Sequence, residues 1–177
     1  MKIKLETQRL VLRPFENDDY IKMFNNWASD DEVTKYLTWN THKSIEESKN
    51  IVSIWLEQYN KEERINFAIE LKENNELIGG IDVCGYIDGI PVIGYVISRK
   101  YWNQGLMTEA FKEVIKLLFF LGYKKIRVDA MIENIGSNKV IQKCGGIYIK
   151  TVEEYIPSKD KNVKINQYII KNNNTNL

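Results

Sequence analysis

Tyr95-Val96-Ile97-Ser98-Arg99-Lys100-Tyr101-Trp102-Asn103-Gln104-Gly105-Leu106-Met107-Thr108-Glu109-Ala110 is the stretch on which the reading of this chain turns. The apolar run from Val92 to Ile97 predicts a strand, and Arg99-Lys100-Tyr101 predicts a bend. From Leu106 to Leu121 the apolar residues Phe111, Val114, Ile115, Leu118 and Phe119 recur at helical spacing, and Gly122 ends the helix. Gly105 falls where the strand side meets the helix start, so the backbone can turn sharply there and come close to a ligand. The first amides of such a helix have no intrahelical partner, and its dipole makes that end positive. The segment is therefore a seat for a phosphate group that needs no lysine. Neither GxxxxGK[ST] nor GxGxxG occurs, which removes the P-loop and the Rossmann fingerprint.

Outward from this segment the period switches repeatedly. Leu10-Val11-Leu12-Arg13 reads as a short strand ending at Pro14, and Asp18 as the cap of a helix towards Ser29 through Ile21, Phe24 and Trp27. Ser44 and Glu47 have the spacing of a capping box, opening a helix with Ile51, Ile54, Trp55 and Tyr59 on its buried stripe. Phe67, Ile69 and Leu71 alternate as a strand, Asn74-Asn75 turns, and Leu77 to Gly85 returns as the other half of a hairpin. Beyond the central helix, Ile126, Val128, Ala130 and Ile132 alternate as a strand, and Ser137 to Lys143 forms a short helix capped by Ser137. Tyr148 to Val152 and Ile165 to Ile170 are the last two strands. The expected fold class is α/β (α+β), one domain over residues 6–171, with a mixed, mostly antiparallel sheet flanked by helices. Residues 172–177 read as a polar tail.

Composition bounds the partners. Among 177 residues, 25 Lys+Arg stand against 24 Asp+Glu, a net charge of +1, so no bulk positive field marks a nucleic-acid binder. Hydrophobic residues make up 44%, enough for a packed core, yet no apolar run reaches the roughly eighteen residues of a membrane span. The N-terminus has no signal-like apolar segment, and the two cysteines, Cys84 and Cys144, form no CxxC pair, so the expected setting is a reducing cytoplasm. One histidine, His42, and no Cys/His cluster leave no metal site to expect.

Three further segments, in order with the first, carry a family likeness: Thr7-Gln8-Arg9-Leu10-Val11-Leu12-Arg13-Pro14, Asn134-Ile135-Gly136-Ser137 and Lys143-Cys144-Gly145. Together they resemble the GNAT acetyltransferases, and within them the branch that acetylates protein N-termini, including those of ribosomal proteins. The resemblance runs from about Glu6 to Ile170. It implies a cleft for acetyl-CoA between two splayed central strands, with backbone amides from Asn103, Gln104, Gly105, Leu106, Met107 and Thr108 on its pyrophosphate. Val96 and Ile97 would pair with the pantetheine amides, Asn134 would hold the pantetheine arm, and a bulge at Gly94 and Tyr95 would open the cleft. Trp102 and Met107 occupy the outer positions of the family's phosphate motif, and Met107 is larger than the usual residue.

Acetyl transfer from a thioester to an amine needs a neutral amine, donors for the oxyanion and a proton for the leaving thiolate. The oxyanion donor is expected near Val96. Two family residues are missing: where many members have a glutamate this chain has Val92, and where they have a tyrosine it has Ile141. Ser137 is then the leading acid, with water as the alternative. Glu154 is the candidate base, with Asp82 as another. Tyr36, Trp39 and His42 fall where this branch shapes its acceptor pocket. The expected activity is acetyl-CoA-dependent acetylation of a primary amine, preferably a protein or peptide α-amino group. A small amine such as an antibiotic, polyamine or amino acid, or a non-catalytic acyl-CoA-binding domain, is the alternative. The expected partners are acetyl-CoA and the amine, with no nucleic acid or membrane, in a monomer or homodimer.

Overall fold

Eight strands form one sheet, whose two faces carry separate cores. The computed structural model describes residues 3–61 and 64–172. In chain order the elements are β1 (Leu5–Glu6), β2 (Leu10–Arg13), α1 (Asp19–Met23), α2 (Asp31–Thr34), α3 (Ile45–Lys61), β3 (Asn66–Leu71), β4 (Leu77–Ile87), β5 (Ile90–Ile97), α4 (Leu106–Phe120), β6 (Lys125–Met131), α5 (Ile135–Lys143), β7 (Ile147–Ile156) and β8 (Lys161–Lys171). The sheet order is β1-β2-β3-β4-β5-β6-β8-β7. Every neighbouring pair is antiparallel except β5 and β6, which are parallel and joined through α4. Phe67, Ile69 and Leu71 share one core with Phe111, Val114 and Leu118 of α4. Ala68, one residue out of phase, shares another with Met23, Trp27 and Val52 of the α1–α3 layer. A third, smaller cluster of Met131, Ile156, Val163 and Ile165 closes the far end of the sheet.

Several local expectations are revised. β1 is too short to show a period, and β7 runs to Ile156 instead of stopping at Val152. The expected first helix, from Asp18 towards Ser29, divides into α1 and a π-helical turn over Phe24–Ala28, and α2 follows beyond it. Asp18 makes no side-chain cap. Asp19 does the anchoring instead: its carboxylate accepts from the Glu16 N–H at 2.8 Å and from Arg13 at 2.7 Å. Glu47 reaches back to the Lys43 N–H, one residue before the expected partner, at 3.2 Å. On α3 Ser48 and Val52 are buried, while Ile54 is exposed. Ile132 is exposed just past the end of β6. Of the expected tail, residues 173–177 lie outside the described residues.

The feature that makes the site is the junction of β5 and β6. They pair only at Val92 with Arg127 and Ile93 with Val128. Beyond Ile93, β5 stays on β4 as far as Ile97, and β6 stays on β8 as far as Met131. The two strands therefore part into a V. The bulge expected on β5 lies on β4: Val83 faces Ile93 and Gly85 faces Val92, so Cys84 is the extra residue. Gly94 serves that bulge, because a Cβ there would run into the Cys84 sulfur. Gly94→Ala is expected to cost about 1–3 kcal/mol by overpacking. Cys84→Ala in the same chain should restore most of the melting temperature, since it removes the sulfur; an unrescued double variant would contradict this packing.

Candidate functional site

The loop before α4, the expected phosphate seat, owes its shape to two left-handed residues and an ion pair. Asn103 and Gly105 have φ of 60° and 76°, and Gly105 is the N-cap of α4 with no side-chain cap hydrogen bond. The start of α4 is thus left to its backbone amides. Leu106 and Met107 are buried in the core, which explains why a large residue is tolerated at Met107: only its amide can face a ligand. The loop is clamped by Glu109 in the first turn of α4. Its carboxylate accepts from the Thr7 hydroxyl at 2.6 Å, the Arg9 N–H at 2.8 Å and the Arg9 guanidinium at 2.7 Å. Arg9 also donates to the Gln104 carbonyl at 3.1 Å, so a guanidinium lies beside the loop. Trp102 closes the other side, its indole N–H donating to the Ile97 carbonyl at 3.0 Å.

Strand register decides which backbone groups enter the V. The Ser98 N–H donates to the Ile78 carbonyl at 2.7 Å, and the β4–β5 register runs unbroken from there through Gly80 opposite Val96 to Asp82 opposite Gly94. Alternation in an antiparallel pair then turns the polar backbone of Val96 towards β4 and that of Tyr95 and Ile97 towards the cleft. The amide expected from Val96 moves to its neighbours, because the bulge lies on β4 and leaves β5 regular.

At the point of the V two hydroxyls meet. Tyr95 Oη lies 2.8 Å from Ser137 Oγ and 3.2 Å from the Ser137 carbonyl, and its ring packs against Phe111. Burial pushes the Tyr95 phenol well above its ordinary range despite the Ser137 hydrogen bond, so it is held protonated. The cap of α5 is Asn134, not Ser137: Asn134 Oδ1 accepts from the Ser137 N–H at 3.0 Å, which leaves the Ser137 hydroxyl to Tyr95.

From this point a cavity of about 540 Å³ opens under the α1–α3 layer. It brings together Val96, Asn134, Ser137, Glu154, Tyr36, Trp39 and His42 from the expected site; Ile97, the last residue of β5, and residues 103–108 beyond it stand outside its lining. The His42 ring packs on Trp39 with centroids 5.3 Å apart and shares a 2.7 Å hydrogen bond with Ser48. Burial holds its pKa below the ordinary value against the opposing pull of Glu47, so the ring is neutral at pH 7. Asp82 also faces the cavity, and burial raises its pKa. Both its oxygens are engaged, one by Arg64 at 3.1 Å and one by the Cys84 thiol at 3.3 Å, which leaves it poorly placed as a base. Neither cysteine is activated: burial pushes Cys84 up to about 12 and Cys144 up to about 11.

The family model for the acetyltransferase (GNAT) domain matches residues 9–147. The chain belongs to the GNAT acetyltransferases. It is 31% identical over 144 residues to the uncharacterized N-acetyltransferase YoaA of Bacillus subtilis, covering 80% of this chain and 81% of that one. A GNAT-family acetyltransferase from Bacillus anthracis superposes with a TM-score of 0.84 at 26% identity, covering 96% of this chain and 98% of that one. RimL, a ribosomal L7/L12 alpha-N-protein acetyltransferase solved with coenzyme A, shares the fold with a TM-score of 0.80 at 16% identity, covering 95% and 98%. The protein is accordingly an acetyl-CoA-dependent acyltransferase. Its residues fit the co-substrate, since an uncapped α4 start and the cleft-facing edge of β5 are what a pyrophosphate and an amide-bearing arm require.

Sequence reasoning passed over Tyr95 as a chemical group and gave no role to Arg9 and Glu109, although all three stood in quoted motifs. The signal for Glu109 was its place in the first helical turn, one hundred residues from its partner. Two outcomes test the loop. Gly105→Val, which forces a β-branched residue to φ 76°, should abolish the rise in melting temperature that saturating acetyl-CoA gives the unaltered protein. Burial pushes the Glu109 carboxyl up, but its hydrogen bonds from Thr7 and Arg9 outweigh this and hold it below its ordinary value. Its contribution is therefore complete above the unfolded carboxylate pKa and lost as pH falls through the lower folded value. Glu109→Gln should melt below the parent at pH 7, and the two melting temperatures should converge below about pH 4.

Proposed function

We propose that the protein acetylates the α-amino group of a peptide or protein N-terminus, with Ser137 and Tyr95 as the acid pair and Glu154 as the base. The observation that carries this reading is the Tyr95–Ser137 hydroxyl pair at the point where β5 and β6 part, with the cavity directly beyond it. Acetyl-CoA supplies the activated acetyl thioester. The protein's own work is to hold two reactants at one point and to manage protons, and no residue need bond to the acetyl group.

Glu154 faces the cavity from β7 and takes the proton that the incoming ammonium must lose. The N–H groups of Tyr95 and Ile97 face the cleft and offer hydrogen bonds to the negative charge that develops on the thioester oxygen. As the sulfur leaves, Ser137 Oγ gives it a proton and receives one from the Tyr95 hydroxyl. The proton released by the acceptor nitrogen restores the pair through solvent. Burial keeps Tyr95 protonated through the neutral range, so the pair starts each transfer with both hydroxyls intact. Asn134 fixes the geometry by binding the Ser137 N–H. The name of RimL supports an α-amino acceptor, as a relative in fold that acts on a protein N-terminus.

Ser137→Ala should lower kcat about 100-fold and Tyr95→Phe about tenfold, within the usual range for general-acid groups. Both variants should keep the acetyl-CoA melting shift. Thiol release from acetyl-CoA with N-terminal peptides measures this, and a fully active Ser137→Ala enzyme would remove Ser137 from the mechanism.

A further inference from the structure

Two buried hydrogen-bond donors in the cavity have no partner among the described residues: the Trp27 indole Nε1 and the Asn66 amide Nδ2. Trp27 is 1% exposed and Asn66 4% exposed. Unpaired polar groups so deeply buried are rare in folded proteins and call for a reason. Trp27 sits on the π-helical turn Phe24–Ala28, whose wider hydrogen bond from the Ser29 N–H to the Phe24 carbonyl spans 3.3 Å; such turns recur at functional sites. Asn66 stands directly opposite Asp82 in the β3–β4 register, on the same side of the sheet as Gly94, and borders a smaller hollow beside Arg64 as well.

We infer that the inner half of the cavity selects an acceptor whose amine is borne on a large apolar body with an uncharged carbonyl oxygen, which Trp27 and Asn66 bind. This rests on the acetyl-transfer reading and narrows its acceptor to N-terminal residues with large apolar side chains. Phe15, Met23, Ile51, Trp55 and Trp39 supply the apolar wall. Both orphan groups donate, so they ask for an acceptor oxygen. The charges around it disfavour an anion: the Arg64 guanidinium pairs with Asp82 at 3.1 Å, its one unpartnered N–H, at Nε, belonging to a residue of the smaller hollow and not of this cavity, and Arg127 pairs with Asp129 at 2.8 Å. His42 is neutral, and the carboxylate Glu154 would repel an anion. A free carboxylate would therefore lie unpaired against an apolar wall. A polyamine, which needs several carboxylates, fares no better: of those lining the cavity the half-buried Asp82 is committed to Arg64 and Cys84 and Asp129 to Arg127, which leaves Glu154 alone to face it. An N-terminal residue presents the matching set: amine, side chain and neutral peptide carbonyl.

The test is calorimetric binding to the full-length protein saturated with coenzyme A, using phenylalaninamide, serinamide, phenylalanine as the free acid, and phenethylamine. Phenylalaninamide should bind at least about tenfold more tightly than each of the others. Trp27→Phe keeps the ring and loses only the N–H; it and Asn66→Ala should each bring phenylalaninamide down towards the affinity of phenethylamine. Affinity for phenethylamine and for coenzyme A should not change, which shows that the variants are folded. Serinamide or the free acid binding as tightly as phenylalaninamide, no binding by any of the four, or variants that keep the amide's advantage would overturn the inference. Binding is read without turnover. A protein that prefers phenylalaninamide yet releases no thiol from acetyl-CoA would sink the acetyl-transfer reading and leave the recognition intact.

Discussion

The parting of β5 and β6 after two paired positions is the constraint on which the rest of the molecule depends. A parallel pair needs a crossover, and α4 is that crossover, so the cleft and the phosphate loop have one topological origin. Had the strands stayed paired, the polar backbone of Tyr95 and Ile97 would be spent on β6. Instead each strand is held by its other neighbour, β5 by β4 and β6 by β8. The N–H groups at the V are thus held from behind while their front edges stay open, the Ile97 carbonyl being taken by the Trp102 indole, which is preorganisation by the backbone itself. The bulge on β4 sits at the same level, and Gly94 exists to let the Cys84 sulfur through.

The near-zero net charge takes on a more local meaning at the loop. The start of α4 carries no side-chain cap, and its two leading side chains are buried, so the ligand-facing chemistry there is backbone. A single guanidinium, Arg9, lies alongside, but Glu109 neutralises it at 2.7 Å. Arg9 is 45% exposed on its side chain, so the pair adds little stability as a salt bridge. Its value is geometric. One carboxylate gathers Thr7, the Arg9 N–H and the Arg9 guanidinium, and Arg9 passes the restraint on to Gln104. The strand β2 and the loop are separated by some ninety residues of chain, yet these hydrogen bonds tie them together.

What was legible in the sequence is what periodicity and short-range chemistry encode. The α4 stripe, the alternation of β3 and β6 and the glycine before α4 all carry their meaning within a few residues, and the fold followed from their order. What was illegible depends on register or on distant partners. The family resemblance implied a bulge on β5 and Gly94 with Tyr95 located it there, but a glycine can serve a neighbour's bulge as well as its own. Ser137 looked like a cap because serine often is one; the Asn134 side chain took that place and released the hydroxyl. The π turn at Phe24–Ala28 leaves the apolar spacing of a helix intact, so the sequence pattern gives no warning of it. Asp82 looked free in an apolar strand until its two partners, Arg64 and Cys84, were both in view.

The two departures from the family pattern have unequal consequences. Ile141 is fully buried, packed in the core shared by α4 and the sheet, and a Cβ on Gly146 would collide with it. A tyrosine at that position would have to displace this packing to bring a hydroxyl to the cleft. The hydroxyl at Ser137 instead comes from Tyr95, on the opposite wall of the V, where the ring is braced by Phe111. Val92 differs, since it lines the cavity at the level where β5 and β6 still pair, below the open part of the V. A carboxylate there would sit in the apolar wall near the Arg127–Asp129 pair and add an unpaired charge to it. Valine keeps that wall neutral, which suits an uncharged acceptor body. Glu154, on a strand at the edge of the sheet, can carry its charge where solvent reaches it. On the proposed reading, a carboxylate at the edge of the sheet and not at its centre separates recognition of the acceptor's body from removal of its proton, two tasks that conflict when one buried residue performs both.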